Sequence, residues 1–266
     1  MDKKAILRVV QISDIHLFAD KEKRLLGVNT QESFQAVIRL LQQASNQTDF
    51  IVLSGDLSQD GSMAAYTYIA DVLRLFHIPI YWIAGNHDDF KIMEKAYPRD
   101  LISNQKHIIL KTWQIILLNS QKPGAVEGYF DSSQLHFLQK CLQSYPDHYA
   151  AVFFHHHPVS VGCGWLERIG LTNANEFWKL ITLYPNVKGV FFGHVHQEFE
   201  QIMEGISCYS APSTCFQFKP QQIDFALEKN PPGYRSIEFH DNGCFETAVQ
   251  RVKEYVGEFD VHAKGY

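Results

Sequence analysis

Five apolar runs of this chain end in the same way, each stopping where residues able to coordinate a cation begin. Asp14-Ile15-His16 follows residues 5–12, Gly55-Asp56 follows 50–53, and Gly85-Asn86-His87-Asp88 follows Ile80–Ile83. His155-His156-His157 follows 149–154, and Gly193-His194-Val195-His196 follows Val187–Phe192. The runs are short and rich in aliphatic and β-branched residues, so they predict buried strands. Between the first three, Phe34, Val37, Ile38 and Leu41 recur at helical spacing in a segment capped by Asn29 with Glu32 and ending at Ser45, and Ala65, Ile69, Val72 and Phe76 repeat the period. Alternating strands and helices predict a parallel sheet with right-handed crossovers, which gathers the loops after its strands on one edge. Residues far apart in the chain are expected to meet there.

The middle of the chain changes character. His107–Leu110 and 114–118 flank Lys111-Thr112-Trp113 as a hairpin, and Asp131 with Gln134 makes a capping box for a helix through Ser144. A long loop, 158–172, carries Cys163-Gly164-Trp165 and leads to a helix capped by Asn173 with Glu176. Two further strand pairs are predicted, 197–203 with Ile206–Ser210 around Glu204-Gly205, and 234–239 with 245–252 around Asp241-Asn242-Gly243. With no repeat, low-complexity segment or linker, 266 residues of 45% hydrophobic content suit one domain over 1–266.

Charge excludes some classes of partner. Lys+Arg 24 against Asp+Glu 29 gives a net −5, so no global positive field exists to hold nucleic acid or an anionic membrane. Any anionic substrate must be attracted locally. No apolar stretch is long enough to span a bilayer, and the basic start, residues 1–5, precedes a run broken by Arg8, Gln11 and Asp14 with no small-residue cleavage site. Five cysteines, an odd count with no C-x-x-C pair, fit a reduced cytoplasmic compartment.

Asp, Asn and His coordinate divalent cations through oxygen and nitrogen, and a mixed set with several imidazoles suits iron, manganese or zinc better than magnesium or calcium. In Asp14-x-His16 and His194-x-His196, alternate residues of an extended segment project the same way, so each pair can reach one small volume. A glycine beside Asp56, Asn86 and His194 lets the backbone turn sharply. Singly these residues say little: Gly55-Asp56 or Asn86 alone reads as a turn, and each histidine of the triplet as ring packing. Five clusters of one chemical type, all at strand ends, argue for a two-metal centre.

In this order, D-x-H, G-D, G-N-H-D, H-H and G-H-x-H resemble the signature of the calcineurin-like binuclear metallophosphoesterases. Leu26-Gly27-Val28-Asn29-Thr30, Gly162-Cys163-Gly164-Trp165 and Ala211-Pro212-Ser213-Thr214-Cys215-Phe216-Gln217-Phe218-Lys219-Pro220 narrow the resemblance to the bacterial class III cyclic-AMP phosphodiesterases, over about Val9 to Arg251. The resemblance implies a four-layer α/β sandwich (αββα), two mixed sheets with helices outside, and two metals sharing Asp56. Asp14, His16 and His196 would hold one, and Asn86, His155 and His194 the other. His155 is taken from the triplet because it ends the strand and the family's H-H-x-P run begins there, although His156 and His157 leave that register open by a residue.

The resemblance further implies Fe2+ or Mn2+, with Zn2+ as the third choice, and hydrolysis of 3′,5′-cyclic AMP to 5′-AMP by a metal-bridging hydroxide. Asn86, His87 and His196 would contact substrate, with His87 as the catalytic group that protonates the departing ribose oxygen. Two cations carry +4; Asp14, Asp56 and the hydroxide leave about +1 for a singly charged phosphodiester. A 2′,3′-cyclic nucleotide, a glycerophosphodiester or an aryl phosphodiester would use the same ligands. A metal-poor scaffold that binds proteins is the alternative outside enzymes, and such a chain should have lost ligands that are all present here. Phe216, Phe218, Trp165 and Tyr209 are candidates to stack on a purine, with core packing as the competing role. Cys163 and Cys215 read as small half-buried residues, and a homodimer is compatible with the family.

Overall fold

Residues 6–44, 48–99, 101–253, 257, 259–260 and 262–265 are described by the computed structural model. Ala5 and Ser45, the expected limits of the first strand and helix, lie outside the described residues, as does the basic start. Up to residue 103 strands and helices alternate: β1 (Ile6–Ile12), α1 (Thr30–Ala44), β2 (Phe50–Ser54), α2 (Met63–Leu73), β3 (Ile80–Ile83), α3 (Phe90–Ala96) and β4 (Ile102–Ser103). The hairpin β5 (His107–Leu110) and β6 (Trp113–Leu117) leads to α4 (Ser132–Ser144), β7 (Tyr149–Phe153), α5 (Ala174–Ile181) and β8 (Val187–Phe192). Two antiparallel pairs follow, β9 (Phe199–Met203) with β10 (Ile206–Ser210) and β11 (Gly233–His240) with β12 (Phe245–Arg251).

These strands make two six-stranded mixed sheets, ordered β12-β11-β1-β2-β3-β4 and β9-β10-β8-β7-β6-β5. Strands β1 to β4 run parallel in the first, as do β6, β7, β8 and β10 in the second. Side-chain alternation divides the apolar residues among three cores. Leu7 and Val9 of β1 join Phe50, Val52, Ile115 and Phe153 between the sheets, whereas Val10 and Ile12 join Phe34, Val37 and Leu41 of α1 beneath the first. On the far side, Val152 and Val190 of the second sheet pack against Leu138, Leu142 and Phe177 of α4 and α5. Sheets buried on both faces explain why the strand sequences are apolar runs. The expected αββα layering is present, and no helix among the described residues is long and apolar enough to cross a membrane.

Local expectations fare unevenly. Asn29 Oδ1 accepts from Glu32 N at 3.0 Å, as a cap should. Asp131 accepts from Gln134 N at 2.9 Å, but Gln134 Oε1 accepts from Asn119 N at 2.8 Å instead of returning to its own helix, so the box is half made. Asn173 caps nothing: its carboxamide takes the N–H of Phe130 at 2.9 Å and donates to the Phe130 carbonyl at 2.8 Å. A buried backbone pair needed partners more than an exposed helix end did. Tyr209 packs between the sheets, 5.7 Å from the Phe191 ring and 5.8 Å from Phe245, and so is core.

One buried side chain joins the sheets at the edge where the ligand clusters lie. Gln11 donates to Ser54 Oγ at 2.9 Å and to the Phe192 carbonyl at 3.0 Å, linking β1 and β2 to β8. Gly193 N–H then donates to the His155 carbonyl at 3.0 Å. The ends of β1, β2 and β3 thus face the ends of β7 and β8.

Candidate metal centre

Asp14, His16, Asp56, His194 and His196 all have φ between 45° and 68°, a left-handed conformation that costs about 1–3 kcal/mol for a residue with a Cβ. The D-x-H and H-x-H segments are therefore not extended, contrary to expectation. Their side chains converge because left-handed residues flank a buried apolar anchor, Ile15 in the core under the first sheet and Val195 in the core beside the second. The Asp14 and His16 N–H groups donate to the carbonyls of Gly55 (3.0 Å) and Asp56 (2.9 Å), aligning the first two loops. Gly55, at φ +94°, makes a turn, whereas Gly193 is needed for close approach: a Cβ there would overlap Ser13 Oγ and lie 2.9 Å from Asp14 Oδ2.

Three imidazoles are oriented by oxygen acceptors. The Nδ1 atoms of His16, His155 and His196 lie 2.6 Å from Gln59 Oε1, 2.8 Å from the Ser54 carbonyl and 3.0 Å from the Phe216 carbonyl. Each Nδ1 therefore carries the proton and each Nε2 presents a lone pair, the tautomer a metal ligand needs. His16 Nε2 faces His196 Nε2 at 3.1 Å and Asp56 Oδ2 at 3.9 Å; His196 Nε2 lies 3.3 Å from Asp14 Oδ1. Two lone pairs 3.1 Å apart repel unless a positive charge sits near both. His155 Nε2 lies 3.2 Å from Asp56 Oδ2 without hydrogen-bond alignment. Asp56 Oδ2, Asn86 Oδ1, His155 Nε2 and His194 Nε2 are all buried with no hydrogen-bond partner. Orphaned polar atoms of this kind are costly unless a ligand satisfies them, and this set suits a divalent cation.

The triplet separates by its hydrogen bonds. His156 lies within reach of His155 and His194, but its Nδ1 meets Ser120 Oγ at 2.7 Å and its Nε2 the Val126 carbonyl at 3.0 Å, so both nitrogens are engaged. His157 stacks on His194 with centroids 5.7 Å apart. Only His155 of the three turns a lone pair toward Asp56. His87 is held by its own N–H on Asp56 Oδ1 at 2.9 Å, its ring edge-on to His16 at 5.1 Å, and its ring nitrogen lies within 4.8 Å of the His16 and Asp56 ligand atoms.

Without cations, this cluster holds its charge unevenly. Burial pushes the carboxyls of Asp14 and Asp56 up, yet the imidazoles around them, His196 for Asp14 and His155 for Asp56 above all, hold Asp14 below and Asp56 well below the usual carboxylate range. Burial drives His16 down to about 3 and, with the neighbouring imidazoles, His194 well below 6.5. His155 goes the other way: burial opposes its charge, but Asp56 and Asp14 outweigh burial and raise it to about 9. Two carboxylates among mostly neutral imidazoles form a pair of sites ready to receive cations.

Asp88 is the main residue that sequence reasoning missed, although it stands in the G-N-H-D stretch. Its carboxylate accepts from Leu57 N (3.0 Å), Ser58 N (2.9 Å), Gly85 N (2.9 Å) and Tyr66 OH (3.1 Å), clipping the Asp56 loop to the Asn86 loop. Asp88→Asn turns an NH2 toward backbone donors, so metal affinity should fall about 10- to 100-fold, measured by competitive chelator titration. Unchanged affinity would remove Asp88 from the support of the centre. Gln59 and Gln121 were missed as well, and a lone glutamine in a loop carries no signal.

Asn86, His87 and His194 line one side of a cleft of about 740 Å3, together with Trp165, Phe218, Phe225, Arg168, Asp224 and Lys264. Of the four aromatic candidates, Trp165 and Phe218 reach this cleft. Phe216 is 2% exposed and packs against the rings of His196 at 5.0 Å and His16 at 6.2 Å, and Phe218 also stacks on His196 at 4.3 Å. Cys163 and Cys215, expected half-buried, are fully buried and free.

The model of the calcineurin-like phosphoesterase family matches residues 7–198. The 3′,5′-cyclic adenosine monophosphate phosphodiesterase CpdA of Pseudomonas aeruginosa is 38% identical over 263 residues, covering 98% of this chain and 96% of that protein. The protein of the same name from Escherichia coli K12 is 39% identical with the same coverage. Among solved structures, a dimetal phosphatase from Danio rerio aligns with a TM-score of 0.66 at 12% identity, covering 93% of this chain and 99% of its own, which is a likeness of fold.

Proposed function

This chain belongs to the calcineurin-like phosphoesterases, and on that premise we propose that residues 1–266 form one domain that hydrolyses 3′,5′-cyclic AMP to 5′-AMP at a centre of two divalent cations. The observation that carries the metal half of this reading is the set of four orphaned atoms, on Asp56, Asn86, His155 and His194, buried beside the facing lone pairs of His16 and His196. The substrate half is carried by likeness to the two phosphodiesterases over nearly the whole chain. Asp14, His16 and His196 would hold one cation, Asn86, His155 and His194 the other, and Asp56 both. The nitrogen and oxygen set favours Fe2+ or Mn2+, with Zn2+ next. When bound, two such ions would supply charge to hold the phosphoryl oxygens and would acidify the attacking water.

The chain's own groups do the rest. Asn86, His87 and His196 would face the phosphate. Trp165, backed by the buried Phe218 ring 4.7 Å away, offers an apolar face to a nucleoside extending along the cleft. As water joins phosphorus, the bond to the ribose O3′ breaks, and His87 would deliver a proton to that oxygen. His87→Ala should lower kcat for cyclic AMP about 100-fold with little change in KM. The loss should be much smaller for bis(p-nitrophenyl) phosphate, whose leaving group needs no proton. Equal losses on both substrates would assign His87 to positioning. The five free cysteines suit a reducing compartment, and we place the protein in the cytoplasm.

The test of the substrate is a comparison of kcat/KM for cyclic AMP, 2′,3′-cyclic AMP, glycerophosphocholine and bis(p-nitrophenyl) phosphate on metal-loaded protein. Cyclic AMP should lead. A preference of more than about a hundredfold for a non-nucleotide would overturn the assignment.

A further inference from the structure

A second cavity, of about 310 Å3, shares no residue with the metal cleft. Trp82, Phe90 and Phe137 form apolar walls, and Lys106, Asn119 and Gln134 bring the polar groups. Lys106 Nζ donates one hydrogen bond, to the Trp82 carbonyl, and lies 3.4 Å from the Trp82 ring centroid. Its other N–H groups meet no protein acceptor among the described residues, and Glu94 attracts it only through space. Both carboxamide oxygens are already engaged: Asn119 Oδ1 accepts from Gln121 N at 3.0 Å, and Gln134 Oε1 accepts from Asn119 N at 2.8 Å. The groups of these three side chains that meet no partner among the described residues are N–H donors, while each carboxamide oxygen already holds one backbone N–H. A cation and two amide donors in an apolar hollow at the small end of ligand-sized cavities select an acid with a hydrophobic body.

We propose that this cavity binds a small monocarboxylic acid with an aromatic or branched apolar body, its carboxylate on Lys106 and the amides of Asn119 and Gln134. Burial pushes the Lys106 amine down to about 7, so a carboxylate bound beside it draws a proton onto nitrogen. The site is coupled to the Asn86–His87 loop by a short relay. Asn119 fixes the backbone of Gln121, whose Nε2 donates to the carbonyls of Gly85 (2.8 Å) and Asp88, and Ala84 in the cavity wall directly precedes Gly85. An occupant that repositions Asn119 therefore moves the loop that carries Asn86 and His87. Only this kinetic consequence rests on the phosphodiesterase reading; the binding does not.

Calorimetry with phenylacetate on metal-loaded protein tests the site, with phenylacetamide as the neutral control. Saturable binding of the acid is expected, at least about tenfold tighter than the amide, with close to one proton taken up at pH 8 and almost none at pH 5.5. Lys106→Met should weaken binding about tenfold or more, and Lys106→Arg should retain it, which separates lost recognition from lost folding. Absence of binding, equal affinity for acid and amide, or full affinity in a folded Lys106→Met variant would overturn the proposal. Binding that changes neither kcat nor KM for a phosphodiester would overturn the relay through Gln121.

Discussion

Asp56→Ala loses at least about 1,000-fold in kcat/KM and retains less than one tightly bound metal ion per chain. The size of the effect follows from how much one carboxylate does. Its Oδ2 lies 3.2 Å from His155 Nε2 and 3.9 Å from His16 Nε2, while its Oδ1 holds the N–H of His87 (2.9 Å). Truncation removes a ligand from both proposed ions, frees the His87 backbone and leaves the raised imidazole of His155 without its main counter-charge. Metal analysis after gel filtration, alongside steady-state kinetics, reads both losses. Two retained ions with activity within tenfold of wild type would mean that Asp56 is not shared between them. A null effect on metal with a large effect on rate would recast it as a holder of His87 alone.

Stripped of metal, the protein should be most stable near about pH 7 and lose stability steeply in mild acid. His16 and His157 are held by burial at about 3 and about 4, and burial with neighbouring imidazoles keeps His156 and His194 well below 6.5. Below pH 6.5 the unfolded chain takes up protons at these four positions and the folded chain does not, so stability falls with pH. Each proton contributes about 1.4 kcal/mol per pH unit; Asp88, raised by burial to about 7, takes up a proton in the folded chain over the same range and offsets one of the four, leaving about 4 kcal/mol per unit, a large share of the whole stability of many domains. His155 has the opposite sign: raised to about 9, it stabilises the fold fully below 6.5 and progressively less as pH rises through 9. The two depressed aspartates add no slope until pH falls below about 4. Thermal melts in chelator at pH 7, 6 and 5 check this, and a flat Tm across that range would show that these imidazoles are not buried neutral.

The strands that position the centre were legible because both faces of each sheet are covered, which writes buried strands as unbroken apolar runs. The layering came from resemblance to a family, since periodicity alone does not say how two sheets stack. Helix α3 and strand β4 escaped because seven residues and two residues show no period. The left-handed backbone at Asp14, His16, Asp56, His194 and His196 was invisible for a different reason: only glycine announces positive φ, and here side chains with a Cβ adopt it. The acceptors that orient the rings were equally hidden, because two of the three are main-chain carbonyls, of Ser54 and Phe216. Choice within the histidine triplet depends on what Ser120 and Val126 offer His156, and no spacing rule contains that.

Gln11 ties the two sheets by one hydrogen bond, to the Phe192 carbonyl, while a second holds it to Ser54 of its own sheet, and each proposed cation would draw on both sheets: Asp14 and His16 with His196, Asn86 with His155 and His194. Loading the centre would act as a rivet through the seam of the sandwich, opposing shear of one layer over the other. Chelation should therefore speed amide exchange at the abutting ends of β1, β2 and β8 well beyond the ligands themselves, while the far edges, β5 and β12, keep their native rates.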